Sequence, residues 1–420
     1  MLTRRVPNHV PTIDPEQRDN ARTLGLIVRA AYGMHWADQL ALICVPLIAE
    51  LVFDASPATI GVLVACQSMA QLFGSIPFGL LVDRSRPRAL AVAATGVSII
   101  GFLGAWLGVT AQRITVFGGS IVLAGFGIVL FVLTVLSILP TITRGGDLTA
   151  ANSRVELPRS LASFVVPLLV GLVLTAGNAN WFMVAAVTGA ATAALFSMRL
   201  PSLAPPAIGG PPVVQQLRDG VRYVRDEPRL RAITWCALAW NTAFAIVLVA
   251  LLPFLELRQL DAGLFGLAFA AFGLAAVFGS RLAGLLSDRI APRTILIFGP
   301  ASSVVAIVLV LVAGFAGSPA GVLAGFFLLG FGPSMWVVAQ NSVRQLVTPL
   351  ATLGRVNAVI QTAIYGVRPL GALLGGVIVS QTSPTTGLIV AAAAFIASTY
   401  ATVASALRHI IDYRSLATVS

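Results

Sequence analysis

Asp38 and His35 stand three residues apart inside an apolar stretch, with Tyr32 and Trp36 beside them and the run Leu40–Leu47 following. A carboxylate at that depth in a hydrophobic segment is costly unless it faces a cavity or a partner, so its default reading is functional. Carboxyls shielded from water ionise closer to neutral pH, which suits a group that takes up and releases a proton in turn. Residues three apart share a helix face, so His35 can share that proton or hydrogen-bond the carboxylate. A structural Asp38, bonded to a neighbouring helix, is the competing use, as packing is for His35. Arg368 is a second charge within an otherwise small and apolar stretch, where it can counter a carboxylate or an anionic solute. Arg281 lies nearer the end of its stretch and can reach water along its own stem.

Other chemistries lack their parts. All 27 basic residues are arginine, so a phosphate-cradling loop ending in lysine cannot exist and ATP-driven work by this chain is not expected. His9, His35 and His409 and Cys44, Cys66 and Cys236 show no metal-ligand spacing, and neither a cofactor site nor a serine nucleophile elbow is visible. The cysteines fall in apolar stretches and read as small buried hydrophobes rather than a disulfide framework.

The elements that must position these groups are membrane helices. The chain is 57% hydrophobic and 10% charged, against about 25% charged in a soluble domain. Twelve apolar stretches reach the length needed to cross a bilayer: 25–53, 57–81, 89–111, 115–140, 153–177 and 181–199, then 231–255, 263–286, 293–315, 319–344, 355–381 and 385–407. All but four arginines fall at one side of this weave. Arg113 and Arg258 alone occupy the opposite loops, and Arg281 and Arg368 lie within helices. The positive-inside rule then places both termini in the cytoplasm and explains the formal charge of +11 without nucleic acid. The polar first 22 residues lack the apolar core of a signal peptide and read as a cytoplasmic tail.

The chain also repeats itself. Gly79-Leu80-Leu81-Val82-Asp83-Arg84, with Arg88 four residues on, returns 205 residues later as Gly284-Leu285-Leu286-Ser287-Asp288-Arg289, with Arg293 four residues on. In the same register Gly61 matches Gly266, Phe73-Gly74-Ser75 matches Phe278-Gly279-Ser280, Asn152 matches Asn357 and Gly171 matches Gly376. Two parallel halves in a membrane are the layout of a rocking transporter. The expected organisation is an N-terminal tail (1–24), a six-helix bundle (25–199), a cytoplasmic linker (200–230), a second six-helix bundle (231–407) and a C-terminal tail (408–420). Within the linker, Val214, Leu217, Val221 and Val224 recur at helical spacing among charges, the pattern of an amphipathic helix lying on the inner leaflet.

These residues resemble the major facilitator superfamily, whose signature in the loop between spans two and three is Gly-x-Leu-x-Asp-Arg followed by basic residues. The resemblance covers essentially the whole chain and implies an all-α integral membrane fold of twelve transmembrane helices in two pseudo-symmetric bundles. In that family the motif latches the cytoplasmic side of the outward-facing state. The carry-over falls on Gly79, Asp83, Arg84 and Arg88 and on the echo Gly284, Asp288, Arg289 and Arg293, with Asp147 and Glu156 as candidate partners of Arg84. The glycines would let helices approach closely. The family's next glycine is Arg86 here and Ala291 in the echo, so Pro87 and Pro292 must make the turn. Gly220-Val221-Arg222-Tyr223-Val224, Leu353-Gly354-Arg355-Val356-Asn357-Ala358 and Pro369 to Gly376 resemble the exporter branch that handles macrolides and siderophores.

In the family, spans one, four, seven and ten line the central cavity. The resemblance therefore nominates Trp36 and Asp38, Trp240 and Asn241, and Trp336, Gln340 and Asn341, with Arg368 as a further candidate. An apolar, aromatic cavity with a few polar points suits a bulky amphiphile. The resulting expectation is proton-coupled efflux of a small amphiphilic molecule (drug, siderophore or other natural product) by a monomer in the inner membrane. Partners are protons, the substrate and the lipid bilayer, with no nucleic acid. The alternatives are a facilitator-fold importer or uniporter, and a transport-inactive sensor or accessory protein.

Overall fold

The computed structural model describes residues 15–142, 148–175, 180–202, 213–286, 289–413 and 416. They form helices α1 (Pro15–Leu51), α2 (Pro57–Arg84), α3 (Pro87–Thr110), α4 (Ile114–Ile142), α5 (Leu148–Thr175), α6 (Asn180–Ser197) and α7 (Val213–Asp226). The second half continues with α8 (Pro228–Leu257), α9 (Gly263–Leu286), α10 (Pro292–Phe315), α11 (Pro319–Val347), α12 (Leu350–Gln381) and α13 (Pro384–Val403). Every helix except α7 is long and apolar enough to span a membrane, which gives twelve spans.

Local chemistry sets the helix starts. Ser56, Ser318 and Ser383 each cap a helix whose first residue is proline, accepting a hydrogen bond from the backbone N–H of Thr59, Gly321 and Thr386 respectively. Serine satisfies an amide the helix leaves open, and proline there loses no bond while presetting φ. All three caps lie at the end of the bundle opposite the chain termini, called the distal end below. At the same end, non-glycine residues take positive φ at Asp54, Gln112 and Gln259, and Gly317 does likewise. Asp54 and Gln259 are 205 residues apart, as are Gln112 and Gly317, so the backbone keeps the repeat where the side chains have lost it.

Small residues set the packing. Gly127 of α4 meets Ser98 of α3, and Gly332 of α11 meets Ser302 of α10, so a glycine–serine contact between neighbouring helices occurs in each half. The repeated glycines also pair across the two halves. A Cβ added to Gly61 of α2 would lie 2.7 Å from the carbonyl oxygen of Ala372 and 2.9 Å from the Cα of Gly376, both in α12. One added to Gly266 of α9 would lie 2.6 Å from the amide nitrogen of Gly171 in α5. The two contacts are one contact seen twice, because Gly61 corresponds to Gly266 and Gly171 to Gly376. Without a strong hydrophobic drive between helices in lipid, such backbone approach is what small residues supply. The halves are thus closed on each other toward the distal end. Near the other end of α5, Arg154, Leu157 and Arg159 are exposed.

Helix α7 is seated on protein rather than left to lie on a leaflet alone. Val224 of α7 is buried with Leu230, Val356 and Ile360. Tyr223 donates its hydroxyl to the Val347 carbonyl at 2.8 Å, and Arg355 pairs with Asp219 at 3.1 Å. Gly220 lets α7 sit against the backbone of Arg355 in α12. Val221 remains exposed, and the side chains of Val214 and Leu217 lie outside the described residues.

Candidate functional site

Between the halves, α1, α5, α8 and α12 bring together the charges that the sequence scatters. Arg368 of α12 donates from Nε to the Oδ1 of Asn241 in α8 at 2.9 Å, and Asn241 is held by donating Nδ2 to the Ala237 carbonyl at 2.9 Å. The Arg368 guanidinium also lies 5.8 Å from the ring centre of Tyr365, one turn earlier. Asp38 of α1, half-buried, is in electrostatic range of Arg368 and of Arg159 from α5. Among the described residues it makes no direct hydrogen bond, so its carboxylate is positioned by charge and left free to take a proton or a donor group. Arg159 is held by Glu156 at 3.2 Å, with the guanidinium side chain 56% exposed. The arrangement is a carboxylate in electrostatic range of two guanidiniums from different halves of the molecule. Such a charge set can bind a solute with both donor and acceptor groups.

His35 is buried on α1 and lies in electrostatic range of Arg159, but its Nδ1 has no hydrogen-bond partner. Three aromatic candidates have packing partners inside their own halves. Trp36 lies against Gly189 of α6. Trp240 donates from Nε1 to the Ser303 hydroxyl at 3.0 Å and stacks on Phe244 at 5.1 Å. Trp336 covers Gly299 of α10. In each case a helix neighbour with a glycine or serine makes the slot that the large ring fills. Gln340 and Asn341 join a separate group on α11: Gln340 and Arg344 both donate to Asn341 Oδ1, at 2.6 and 2.7 Å.

Of the Asp-Arg loop residues, Asp288 and Asp147 lie outside the described residues, as do the surroundings of Gly79 and the side chains of Asp83 and Arg84. Arg289 and Arg293 are exposed, and the Arg293 backbone N–H donates to the Ile410 carbonyl at 3.0 Å. Arg88 faces α1 and the end of α6. Glu156 is engaged by Arg159. Gly284 corrects the close-approach reading: a Cβ there would meet nothing within 4 Å, because the residue is exposed at the end of α9.

Four participants were missed. Arg159 falls inside the fifth predicted span, and an arginine inside a span is itself the signal, yet it reads equally as part of the basic border. Tyr365 carries no signal of its own. Glu50 of α1 and Glu256 of α8 meet at the distal end, carboxyl to carboxyl, with Asp54 nearby. Among the described residues no cluster of three or more His, Cys, Asp or Glu is placed to hold a metal.

The sequence matches the Major Facilitator Superfamily over residues 30–332 and 258–410. It is 27% identical over 327 residues to the enterobactin exporter EntS of Escherichia coli O1:K1 / APEC, covering 76% of each chain. The enterobactin exporter EntS of Citrobacter koseri is equally similar, at 27% over 327 residues and 76% of each chain. Among solved structures, a bacterial homologue of the iron transporter ferroportin superposes with a TM-score of 0.71 at 12% identity, over 91% of this chain and 98% of that one. The nucleoside transporter NupG gives 0.74 at 12% identity, over 91% and 99%. At such identities the likeness speaks for the fold alone. With its twelve spans and the family match along nearly its whole length, the chain belongs to the major facilitator superfamily: a multi-pass membrane transporter of small molecules, and not an enzyme.

Proposed function

We propose that this protein exports a small amphiphilic compound across the cell membrane in exchange for protons, with both termini in the cytoplasm. The observation that carries the reading is Asp38, with no direct hydrogen bond among the described residues and in electrostatic range of Arg159 and of Arg368, which holds Asn241. Substrate and proton would compete there: a hydroxyl, amide or ammonium of the substrate can occupy the carboxylate only after its proton has left. The guanidiniums meet the acceptor groups of the same molecule. Rocking about the midplane then carries either the substrate outward or the proton inward. The arginine-rich side of the weave supports the orientation, which makes the distal end the outer gate. The Asp83-Arg84 and Asp288-Arg289 loops would latch the inner gate. Similarity to enterobactin exporters supports the outward direction and a siderophore-like substrate.

Proteoliposomes loaded with catecholate siderophores or amphiphilic drugs test the reading. An imposed pH gradient should drive substrate against its own gradient in wild type and not in Asp38→Asn. Flux that only ever follows the substrate gradient, with or without a pH difference, would replace this reading with a uniporter.

A further inference from the structure

A cavity of about 600 Å³ lies away from the central charges, where α1, α3 and α6 meet at the termini end. Arg22 and Arg29 of α1, Arg88 of α3 and Arg199 just after α6 line it, together with Gly25 and Met198. No carboxylate lines it among the described residues. Four guanidiniums around one space repel one another, so the arrangement asks for an anion. Two of the four are pre-oriented: Arg29 and Arg199 lie 5.9 and 5.8 Å from the ring centre of Phe196. The space beside Gly25 is open, since a Cβ there would meet nothing within 4 Å.

Its depth identifies the anion. Arg88 and Arg199 sit at the ends of the spans Pro87–Thr110 and Asn180–Ser197, the level at which helices leave hydrocarbon for headgroups. The end of α6 exposes Leu195, with Met198 exposed just after it, and α3 exposes Ile100 and Leu103 farther along, so apolar chains have a surface beside the cavity. A free inorganic anion has no use for that apolar border, whereas a phospholipid fills both parts. We propose that this cavity binds the phosphate of an anionic phospholipid from the leaflet on the termini side. Its volume falls within the roughly 300–1,000 Å³ of small-ligand sites, and basic pockets between helices at this level are suited to anionic headgroups.

Native mass spectrometry of the purified full-length protein tests this with phosphatidylglycerol, phosphatidylcholine and inorganic phosphate as probes. Wild type should retain phosphatidylglycerol well above phosphatidylcholine. Each arginine removed should weaken retention roughly fivefold, and Arg29→Gln with Arg199→Gln roughly thirtyfold. Arg199→Gln alone, with a fivefold loss, serves if the double variant is not monodisperse. Equal retention of the two lipids, unchanged retention in the variants, or full displacement by millimolar inorganic phosphate would overturn the assignment.

Discussion

Replacing Gly266 with alanine should open the distal end of the molecule. The added Cβ would lie 2.6 Å from the amide nitrogen and 2.7 Å from the Cα of Gly171, and 2.9 Å from the Pro167 carbonyl oxygen. Non-bonded carbons prefer about 3.5–4.0 Å, so α5 and α9 must part by roughly 1 Å. Backbone atoms cannot rotate aside as a flexible side chain would. Overpacking of this kind costs about 1–3 kcal/mol, and it applies only to the state in which the distal ends touch. Alanine's better helix propensity, worth about 1 kcal/mol, is common to both states and cancels in their ratio. At tenfold per 1.4 kcal/mol, the ratio of open to closed should rise about 5- to 150-fold. The readout is the spin-label distance between Arg113 and Leu257, exposed positions at the distal ends of the two halves, after Cys44, Cys66 and Cys236 are replaced. Gly61→Ala should act in the same direction through α12. Gly96→Ala, where a Cβ meets nothing within 4 Å, should leave the distances alone. Unchanged distances in both Gly266→Ala and Gly61→Ala would refute the idea that these glycines hold the halves together.

Three further outcomes follow from named contacts. Glu50 of α1 and Glu256 of α8 meet carboxyl to carboxyl at the distal end. Glu50→Gln supplies an amide donor to the facing carboxyl, and the same spin-label measurement should shift toward the closed distance; an unchanged distance would remove this contact from the gate. Trp240→Phe removes the bond to Ser303 and should lower stability by about 1 kcal/mol, read from the melting temperature, with transport retained because the ring packs inside one half. Arg368→Ala strips a charge-assisted bond from Asn241, worth about 1.5–3 kcal/mol, and should reduce both melting temperature and substrate binding. Unchanged substrate affinity would remove Arg368 from the site.

The fold was legible because lipid leaves a chain so few choices. Twelve apolar stretches had to be helices, and apart from the start of α1 their ends lie within several residues of the helix ends. The repeat of Gly61 at Gly266 and of Gly171 at Gly376 was visible too, but not that each glycine touches the repeat of the other. A sequence register records descent from one unit, whereas the contact depends on how two units face each other. The site was half legible for the same reason. Asp38 and Arg368 stood out by the cost of charge in hydrocarbon. Arg159 hid among border arginines, and the Glu50–Glu256 contact hid because either carboxyl alone reads as a helix end. The neighbours of the tryptophans were not legible: a large ring is equally at home in a cavity or over a neighbouring glycine, and Gly189 and Gly299 meet Trp36 and Trp336 only in three dimensions.

Proton release on substrate binding tests the central claim most directly. Purified wild-type protein in weak buffer with a pH-sensitive dye, given a substrate that transport assays have identified, should release protons, and Asp38→Asn should bind without releasing any. Equal proton release from both proteins would contradict Asp38 as the carrier. Binding by wild type with no proton released at any pH between 5 and 8 would contradict competition between substrate and proton, and with it the exchange mechanism.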